Sequence, residues 1–228
     1  MAKRVKLLAF DTTSHACSVA LLDTEKAAGS QILSKSQIQP MQQGQLILPM
    51  IQSLLQTASI NLNELDAIAY GQGPGSYTGA RIASSVAQAV GLVARKPLIP
   101  ISSLAVIAQN AYQTHGWKSV LVAVDARAGE IYWGVYEINA MGIAELAGHE
   151  MVSSVDKVTL PENKKIWFGA GDAWSVYGEI LSRSFPDQLG KIDASQLPAA
   201  ESMLTLAEHQ YGLKNWIQAA QAIPAYLR

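Results

Sequence analysis

Near its amino-terminal end the chain reads Val5-Lys6-Leu7-Leu8-Ala9-Phe10-Asp11-Thr12-Thr13. The apolar run predicts a buried strand, and the acid followed by two hydroxyls predicts a tight polar turn at its end. A second apolar run, Ala16-Cys17-Ser18-Val19-Ala20-Leu21-Leu22, follows after a short gap. Because short gaps join antiparallel neighbours, the two runs predict a hairpin.

The same pattern returns in the second half of the chain. Val120-Leu121-Val122-Ala123-Val124 again ends in an acid, Asp125, and Ile131-Tyr132-Trp133-Gly134-Val135-Tyr136 follows as a second strand. The strand–Asp–turn–strand unit at 5–22 and 119–138 indicates an internal duplication. Strands alternate with helical segments elsewhere, which favours an α/β fold with a mixed sheet.

Composition excludes several classes of protein. Of 228 residues, 49% are apolar and 15% are charged, which suits one large core or two small ones and not a disordered chain. The net charge of −1 argues against a surface that holds nucleic acid by itself. Cys17 is the only cysteine, and the apolar run after Met1-Ala2-Lys3-Arg4 is too short for a signal segment or a membrane span, so we expect a cytoplasmic protein.

The turn Asp11-Thr12-Thr13 has two interpretations. It could present a carboxylate to a hydrated metal, with hydroxyls and backbone donors for a phosphate. It could also be an Asp turn whose side chain satisfies its own backbone, and the residues alone favour this second interpretation.

A glycine-rich loop forms the second candidate site. It reads Gly71-Gln72-Gly73-Pro74-Gly75-Ser76-Tyr77-Thr78-Gly79, and Gly73, Pro74, Gly75 and Ser76 are its candidate phosphate-binding residues. A glycine loop before a helix can bring backbone N–H groups close to an anion. The loop lacks the lysine of a Walker A motif, and a tight connection with Ser76 or Thr78 as helix N-cap explains it equally well.

Two predicted helices carry more apolar surface than one core needs. The first spans about 45–58 and contains Pro49, which must lie in the first turn or cause a kink. The second spans about 77–93 and repeats Gly79, Ala83, Ala87 and Gly91 at every fourth position. A stripe of small residues lets another helix approach closely, so we predict a partner interface here, although a helix buried in its own core is the alternative. The predicted interface residues are Leu46, Met50, Leu54, Gly79, Ala83, Val86, Ala87 and Val90.

Other polar residues predict no catalytic group. The four histidines have no second ligand at helical spacing, so no metal site is predicted. No nucleophile elbow is present. The turn Asp125-Ala126-Arg127 could face a ligand, but an internal ion pair at the hairpin is slightly favoured.

Several motifs together resemble one bacterial family, TsaB, also called YeaZ. They are Leu8–Thr13, Ala16–Ala20, Ile47–Met50, Tyr70–Ile82, Val124–Trp133 and Pro224–Arg228. The resemblance implies the actin/Hsp70/sugar-kinase (ASKHA) fold with two related lobes. We assign 1–103 to an amino-terminal actin-like lobe and 104–228 to a smaller, less regular carboxyl-terminal lobe. It also implies a role in making threonylcarbamoyladenosine, t6A, beside the tRNA anticodon.

The resemblance further implies partners and a division of labour. In that system a related subunit, TsaD, transfers the threonylcarbamoyl group and holds a metal with a His-x-x-x-His pair. The corresponding stretch here, Met41-Gln42-Gln43-Gly44-Gln45, contains no histidine, and a Gln amide is a poor transition-metal ligand. This implies a non-catalytic dimerisation partner of TsaD, with the small ATPase TsaE as third component and tRNA bound through the complex.

The remaining expectations concern self-association and nucleotide. Without a partner the same helices should form a homodimer. We expect no intrinsic cofactor and at most weak binding of ATP or ADP, with Asp11 and the 73–76 loop as vestigial elements. The alternative hypothesis is a free-standing actin-fold ATPase or small-molecule kinase that uses the same two segments.

Overall fold

A computed structural model describes residues 4–227, so Met1-Ala2-Lys3 and Arg228 lie outside the described residues. The strands are β1 (Lys6–Asp11), β2 (Ala16–Asp23), β3 (Ile32–Ile38), β4 (Ala67–Gly73), β5 (Leu98–Ser102), β6 (Ser119–Arg127), β7 (Glu130–Ile138), β8 (Ala144–Leu146), β9 (Met151–Ser154), β10 (Trp167–Ala170) and β11 (Leu189–Asp193). The helices are α1 (Gln43–Ala58), α2 (Tyr77–Ala94), α3 (Ser103–His115), α4 (Ala173–Ser184) and α5 (Ala200–Gly212). None of these helices is long and apolar enough to cross a membrane.

The chain forms two compact units. The first contains the residues up to Ser103 together with Pro198–Ala225, and the second contains Leu104–Leu197 and the residues from Tyr226 on. The first division falls where the predicted lobes 1–103 and 104–228 meet. Residues 198–225 cluster with the first unit, because α5 packs against β1 and β2, whereas the predicted division had assigned them to the second lobe.

The two sheets have the same topology. The first runs β3-β2-β1-β4-β5, with β1 antiparallel to β2 and parallel to β4. The second runs β11-β10-β6-β7-β8, with β6 antiparallel to β7 and parallel to β10. Each unit therefore begins with a hairpin and continues with parallel strands on the other side of its first strand. This common order confirms the predicted duplication and the two related lobes.

Helices cover both faces of the first sheet. Leu8 and Phe10 of β1 join a buried cluster with α1 and α2, so alternate residues of β1 face the other way. On that opposite face, the N–H of Ala200 at the start of α5 donates to the Ser18 hydroxyl. The carboxyl ends of the parallel strands β1 and β4 lie side by side, with Phe10 paired to Tyr70. This register brings the Asp11 turn and the glycine loop together at the carboxyl ends of the parallel strands.

Two smaller predictions change in the structure. Pro49 lies inside α1, beyond its first turn, so the first-turn alternative is excluded. The Asp125 carboxylate accepts the backbone N–H of Arg127 at 2.9 Å, where an ion pair with the guanidinium had been favoured. The N–H of Asp125 in turn donates to the Asp172 carboxylate at the end of β10.

Candidate functional site

The turn after β1 is buried and satisfied by its own unit. Asp11, Thr12 and Thr13 are each at most 3% exposed. The Thr13 N–H donates to Oδ1 of Asp11 at 2.7 Å, the Thr13 hydroxyl lies 2.9 Å from the same oxygen, and the Ser103 hydroxyl lies 3.3 Å from Oδ2. Both oxygens of the carboxylate therefore accept hydrogen bonds from within the protein, as the Asp-turn interpretation requires.

Burial also shifts the pKa of this carboxyl group. It raises the pKa of Asp11 from 3.8 to about 6, against the lowering effect of the hydrogen bonds from Thr13 and Ser103. Burial, helped by the negative charge of Asp11, raises the pKa of the nearby Cys17 thiol to about 12. A thiol with such a pKa is unreactive.

The glycine loop packs directly on the Asp11 turn. The Ser76 N–H donates to the Thr13 carbonyl at 2.7 Å, and the Thr12 hydroxyl donates to the Gly79 carbonyl at 2.7 Å. A methyl group at Gly75 would overlap the Thr13 carbonyl oxygen, and one at Gly79 would overlap that of Thr12. These two glycines therefore allow two backbone segments to touch.

The carboxyl-terminal segment covers another side of the loop. The Ala225 N–H donates to the Gln72 carbonyl at 2.8 Å, and the Ala225 carbonyl oxygen lies close to Gly73. The Ser76 hydroxyl caps α2 by accepting the Gly79 N–H at 3.2 Å. The predicted N-cap role of Ser76 is thus confirmed, and part of the backbone that could bind an anion is already hydrogen-bonded within the unit.

The histidine-free segment 41–45 contributes to packing. Gln43 is buried, and its side-chain amide donates to the Ser14 carbonyl at 2.9 Å, which ties the start of α1 to the loop before β2. Within residues 4–227, no cluster of three His, Cys, Asp or Glu side chains could hold a metal ion.

The predicted interface residues require a correction of helix face. Met50, Leu54, Gly79, Ala83, Ala87 and Val90 are buried in the core of the first unit, and Leu46 and Val86 are partly buried against it. Ala83 and Ala87 have no exposed surface, so they cannot contact a partner while this core stays packed. The small-residue stripe instead accommodates the chain's own elements, since Gly79 meets the Thr12 turn and Gly91 meets Leu98 and Ala219.

A neighbouring face of the same helices carries exposed apolar side chains. Five of the exposed or partly buried apolar residues on α1 and α2 form a surface that we name the seam surface: Leu48, Ile82, Val86, Ala89 and Val93. Leu48 is 52% and Val93 75% exposed. Sequence reasoning missed most of these residues because both faces of α2 are apolar. The sequence feature that could have predicted them is the spacing of apolar residues at 82, 86, 89 and 93, which forms a second helical stripe beside the small residues.

A groove lies next to the seam surface. It has a volume of about 640 Å³ and opens between the second half of α1, Val90 of α2 and the segment 59–62. Leu48, Ile51 and Leu55 form its apolar wall, and Gln52 and Gln56 form part of its rim. An open apolar groove beside exposed apolar helices is typical of a protein-binding surface.

Comparison with known proteins agrees with the fold. The sequence pattern described as "TsaD: tRNA N6-adenosine threonylcarbamoyltransferase" matches residues 41–228. The tRNA threonylcarbamoyladenosine biosynthesis protein TsaB of Escherichia coli is 34% identical over 98% of this chain and 95% of its own, and that of Haemophilus influenzae is 33% identical over 99% and 94%. The structure of YeaZ from Pseudomonas aeruginosa is 40% identical, covers 98% of this chain and 100% of its own, and superimposes with a TM-score of 0.90.

The duplicated sheets and these matches identify the class of this protein: it is TsaD-like, with the actin/Hsp70/sugar-kinase fold and two related lobes. Within that class, the chain belongs to the TsaB (YeaZ) family of tRNA threonylcarbamoyladenosine biosynthesis proteins.

Proposed function

We propose that this chain is a non-catalytic scaffold subunit that pairs with TsaD in the transfer of threonylcarbamoyl from its adenylate to N6 of the tRNA adenosine beside the anticodon. The observation that carries the proposal is the contrast between the Asp11 turn with its glycine loop and the exposed surface of α1 and α2. The Asp11 turn and the glycine loop are hydrogen-bonded within the protein, whereas apolar surface of α1 and α2 is exposed.

The first part of the argument concerns catalysis. Asp11 is buried and engaged by Thr13 and Ser103, and the stretch 41–45, which resembles the metal-binding stretch of TsaD, holds no histidine and ties its Gln43 amide to the Ser14 carbonyl. A chain arranged in this way keeps the fold of the transferase and lacks the side chains for its reaction. We propose that it needs no cofactor of its own, with at most weak ATP or ADP binding, and that it acts in the cytoplasm.

The second part concerns the partner. Because the TsaD pattern matches 41–228 of this chain, the transferase is expected to have counterparts of α1 and α2. Two chains with the same fold can meet through equivalent surfaces about a pseudo-twofold axis, as identical chains do about a true one. The seam surface would then meet its counterpart on TsaD, and in the absence of TsaD it would meet a second copy as a homodimer. We assign the TsaE ATPase and the tRNA to the assembled complex, since the net charge of −1 gives this chain little attraction for RNA by itself.

The experiment is a binding titration between the purified chain and its cognate TsaD subunit. Leu48→Glu and Val93→Glu place a charge on exposed positions of the seam surface, so they should fold normally and raise Kd by about 30-fold or more, as expected for loss of a buried interface anchor. Leu213→Glu is the matched control, because Leu213 is also exposed (63%) but follows α5, on the opposite face of the sheet. Unchanged affinity in folded Leu48→Glu and Val93→Glu variants would refute the assigned surface.

A further inference from the structure

Strand β3 lies at one end of the first sheet. Its neighbour in that sheet is β2, and within residues 4–227 no strand pairs with its other edge. All of its residues except the partly buried Leu33 are exposed. A free strand edge of this kind presents backbone N–H and C=O groups that another strand can bind.

The hydrogen bonds between β2 and β3 show which backbone groups face the free edge. The N–H of Asp23 donates to the Gln31 carbonyl at 2.8 Å, and these two residues continue the register of β2 with β3. In an antiparallel ladder, hydrogen-bonded pairs recur at every second residue. The backbone groups of Leu33, Lys35 and Gln37 therefore face β2, and those of the residues between them face the free edge.

The sequence of β3 is nearly the same in both directions. Its seven residues read ILSKSQI, with Lys35 at the centre. Two antiparallel copies related by a twofold axis at Lys35 would pair the whole strand and place Ile32 of one copy opposite Ile38 of the other at both ends. Ser34 would lie opposite Ser36 in hydrogen-bonded pairs, which is the phase that the free edge offers. The apolar pairs at both ends favour this register over a shifted one.

The same axis places two lysines at the centre of the paired strands. The pair of Lys35 with its copy is not hydrogen-bonded, so the two Cα atoms would approach to about 4.5 Å, with both side chains on one face of the sheet. This is the face that α1 covers, since the Lys35 ammonium donates to the Ser53 hydroxyl. On the other face, the Ser34 hydroxyl donates to Glu201 of α5. Like charges directly opposite each other destabilise a strand pair.

We propose that the free edge of β3 fits the β3 strand of a second copy of this chain, and that Lys35 prevents this pairing by placing two like charges at the twofold axis. Natural proteins use lysine on edge strands against association of this kind. The inference goes beyond the proposed function and does not depend on it, because β3 contributes no residue to the seam surface.

Cysteine substitution tests the register. Lys35→Cys removes the charge and places two thiols at the central pair, whose Cα separation suits a disulfide. Under mild oxidation, non-reducing electrophoresis should show an intermolecular disulfide that forms about tenfold faster than in Gln37→Cys. Gln37 is the matched control, because it is exposed on the same face of β3 but would lie opposite Leu33. Equal rates of disulfide formation in the two variants would overturn the inference.

A second pair of variants tests the role of the charge. Lys35→Thr removes the charge and Lys35→Arg keeps it, and both fall at an exposed position, so both should fold. In sedimentation equilibrium, Lys35→Thr should at least double the average mass as its concentration rises, whereas Lys35→Arg should match the wild type. A folded Lys35→Thr variant with the mass of Lys35→Arg at every concentration would overturn the inference. Neither result bears on TsaD binding, so failure here leaves the proposed function untouched.

Discussion

Replacement of the buried carboxylate, Asp11→Asn, should remove one contribution to the pH dependence of the free energy of unfolding. The pKa of Asp11 is 3.8 in its reference state and about 6 in the folded protein, mainly because burial disfavours the charge. The protonated form is therefore favoured by folding. Its stabilising contribution is fully present below about pH 4 and is lost as the pH rises through about 6. At about 1.36 kcal/mol for each pH unit between the two values, the loss approaches 3 kcal/mol.

An asparagine at position 11 has no charge to bury. Its oxygen can accept the Thr13 N–H, and its amide can donate to the hydroxyl oxygens of Thr13 and Ser103, which keeps the local hydrogen bonds. The difference in unfolding free energy, variant minus wild type, should therefore rise by about 2–3 kcal/mol between pH 4 and pH 7.

The assay is urea unfolding followed by tryptophan fluorescence at several pH values. Because all other titrating groups are shared, the difference curve reports Asp11. Asp187→Asn, at an exposed position, controls for the loss of one carboxylate. A flat difference curve would show that folding does not disfavour the ionised Asp11, and a curve that falls as the pH rises would show that folding favours it. Either result would refute the argument that burial dominates the pKa of this carboxyl group.

Three further predictions follow from burial and close contacts. Ala87→Glu should unfold the first unit or lower the free energy of unfolding by more than about 3 kcal/mol, because Ala87 is buried. Ala89→Glu, two residues farther on and exposed, should leave the unfolding midpoint unchanged. Equal midpoints for the two variants would contradict the assigned helix face. Gly79→Ala should lower stability by about 1–3 kcal/mol in thermal unfolding, because the new methyl group overlaps the Thr12 carbonyl, and an unaltered Tm would show that the loop is not packed on the turn. Cys17, with a pKa near 12, should not react with a thiol reagent at pH 8 until urea unfolds the protein, and rapid labelling of the folded chain would contradict its burial.

Local patterns were sufficient to predict most elements that pack in a core. The Val5–Phe10 run and its Asp-Thr-Thr turn predicted β1 and the turn that follows, and the 77–93 periodicity predicted α2. Of the two candidate N-caps, Ser76 and Thr78, the structure uses Ser76. These predictions succeed because strand and helix periods reflect which side chains are buried. The repeated hairpin also indicated the duplication, since each copy carries the same order of apolar run, acid and turn.

Exposed edge strands were much harder to read. Strand β3 runs from Ile32 to Ile38 and is mostly exposed, and its central residues Ser34, Lys35, Ser36 and Gln37 are all polar. Strands β8, β9 and β11 in the second unit had no readable pattern for the same reason. A strand at the edge of a sheet with little buried surface has no strong alternation of apolar and polar residues.

The choice of helix face depended on residues that are distant in sequence. Both the small stripe and the Ile82–Val93 stripe of α2 are apolar, so periodicity alone could not say which of them faces inward. Contacts of Gly79 with the Thr12 turn and of Gly91 with Ala219 decide the matter. The glycine loop posed the same problem, because open space for a phosphate and close packing on a turn both require glycine.

The most direct test of the scaffold role is a tRNA modification assay with subunits added singly and together. The substrates are unmodified tRNA and threonylcarbamoyl-adenylate, and the product is threonylcarbamoyladenosine measured by mass spectrometry of digested tRNA. We expect no product from this chain alone, full activity only when it is combined with TsaD and TsaE, and unchanged activity of the complete mixture when Asp11→Asn replaces the wild-type chain. Product formation by this chain alone, or loss of activity in folded Asp11→Asn with TsaD binding intact, would contradict the account and favour a catalytic role for the Asp11 turn.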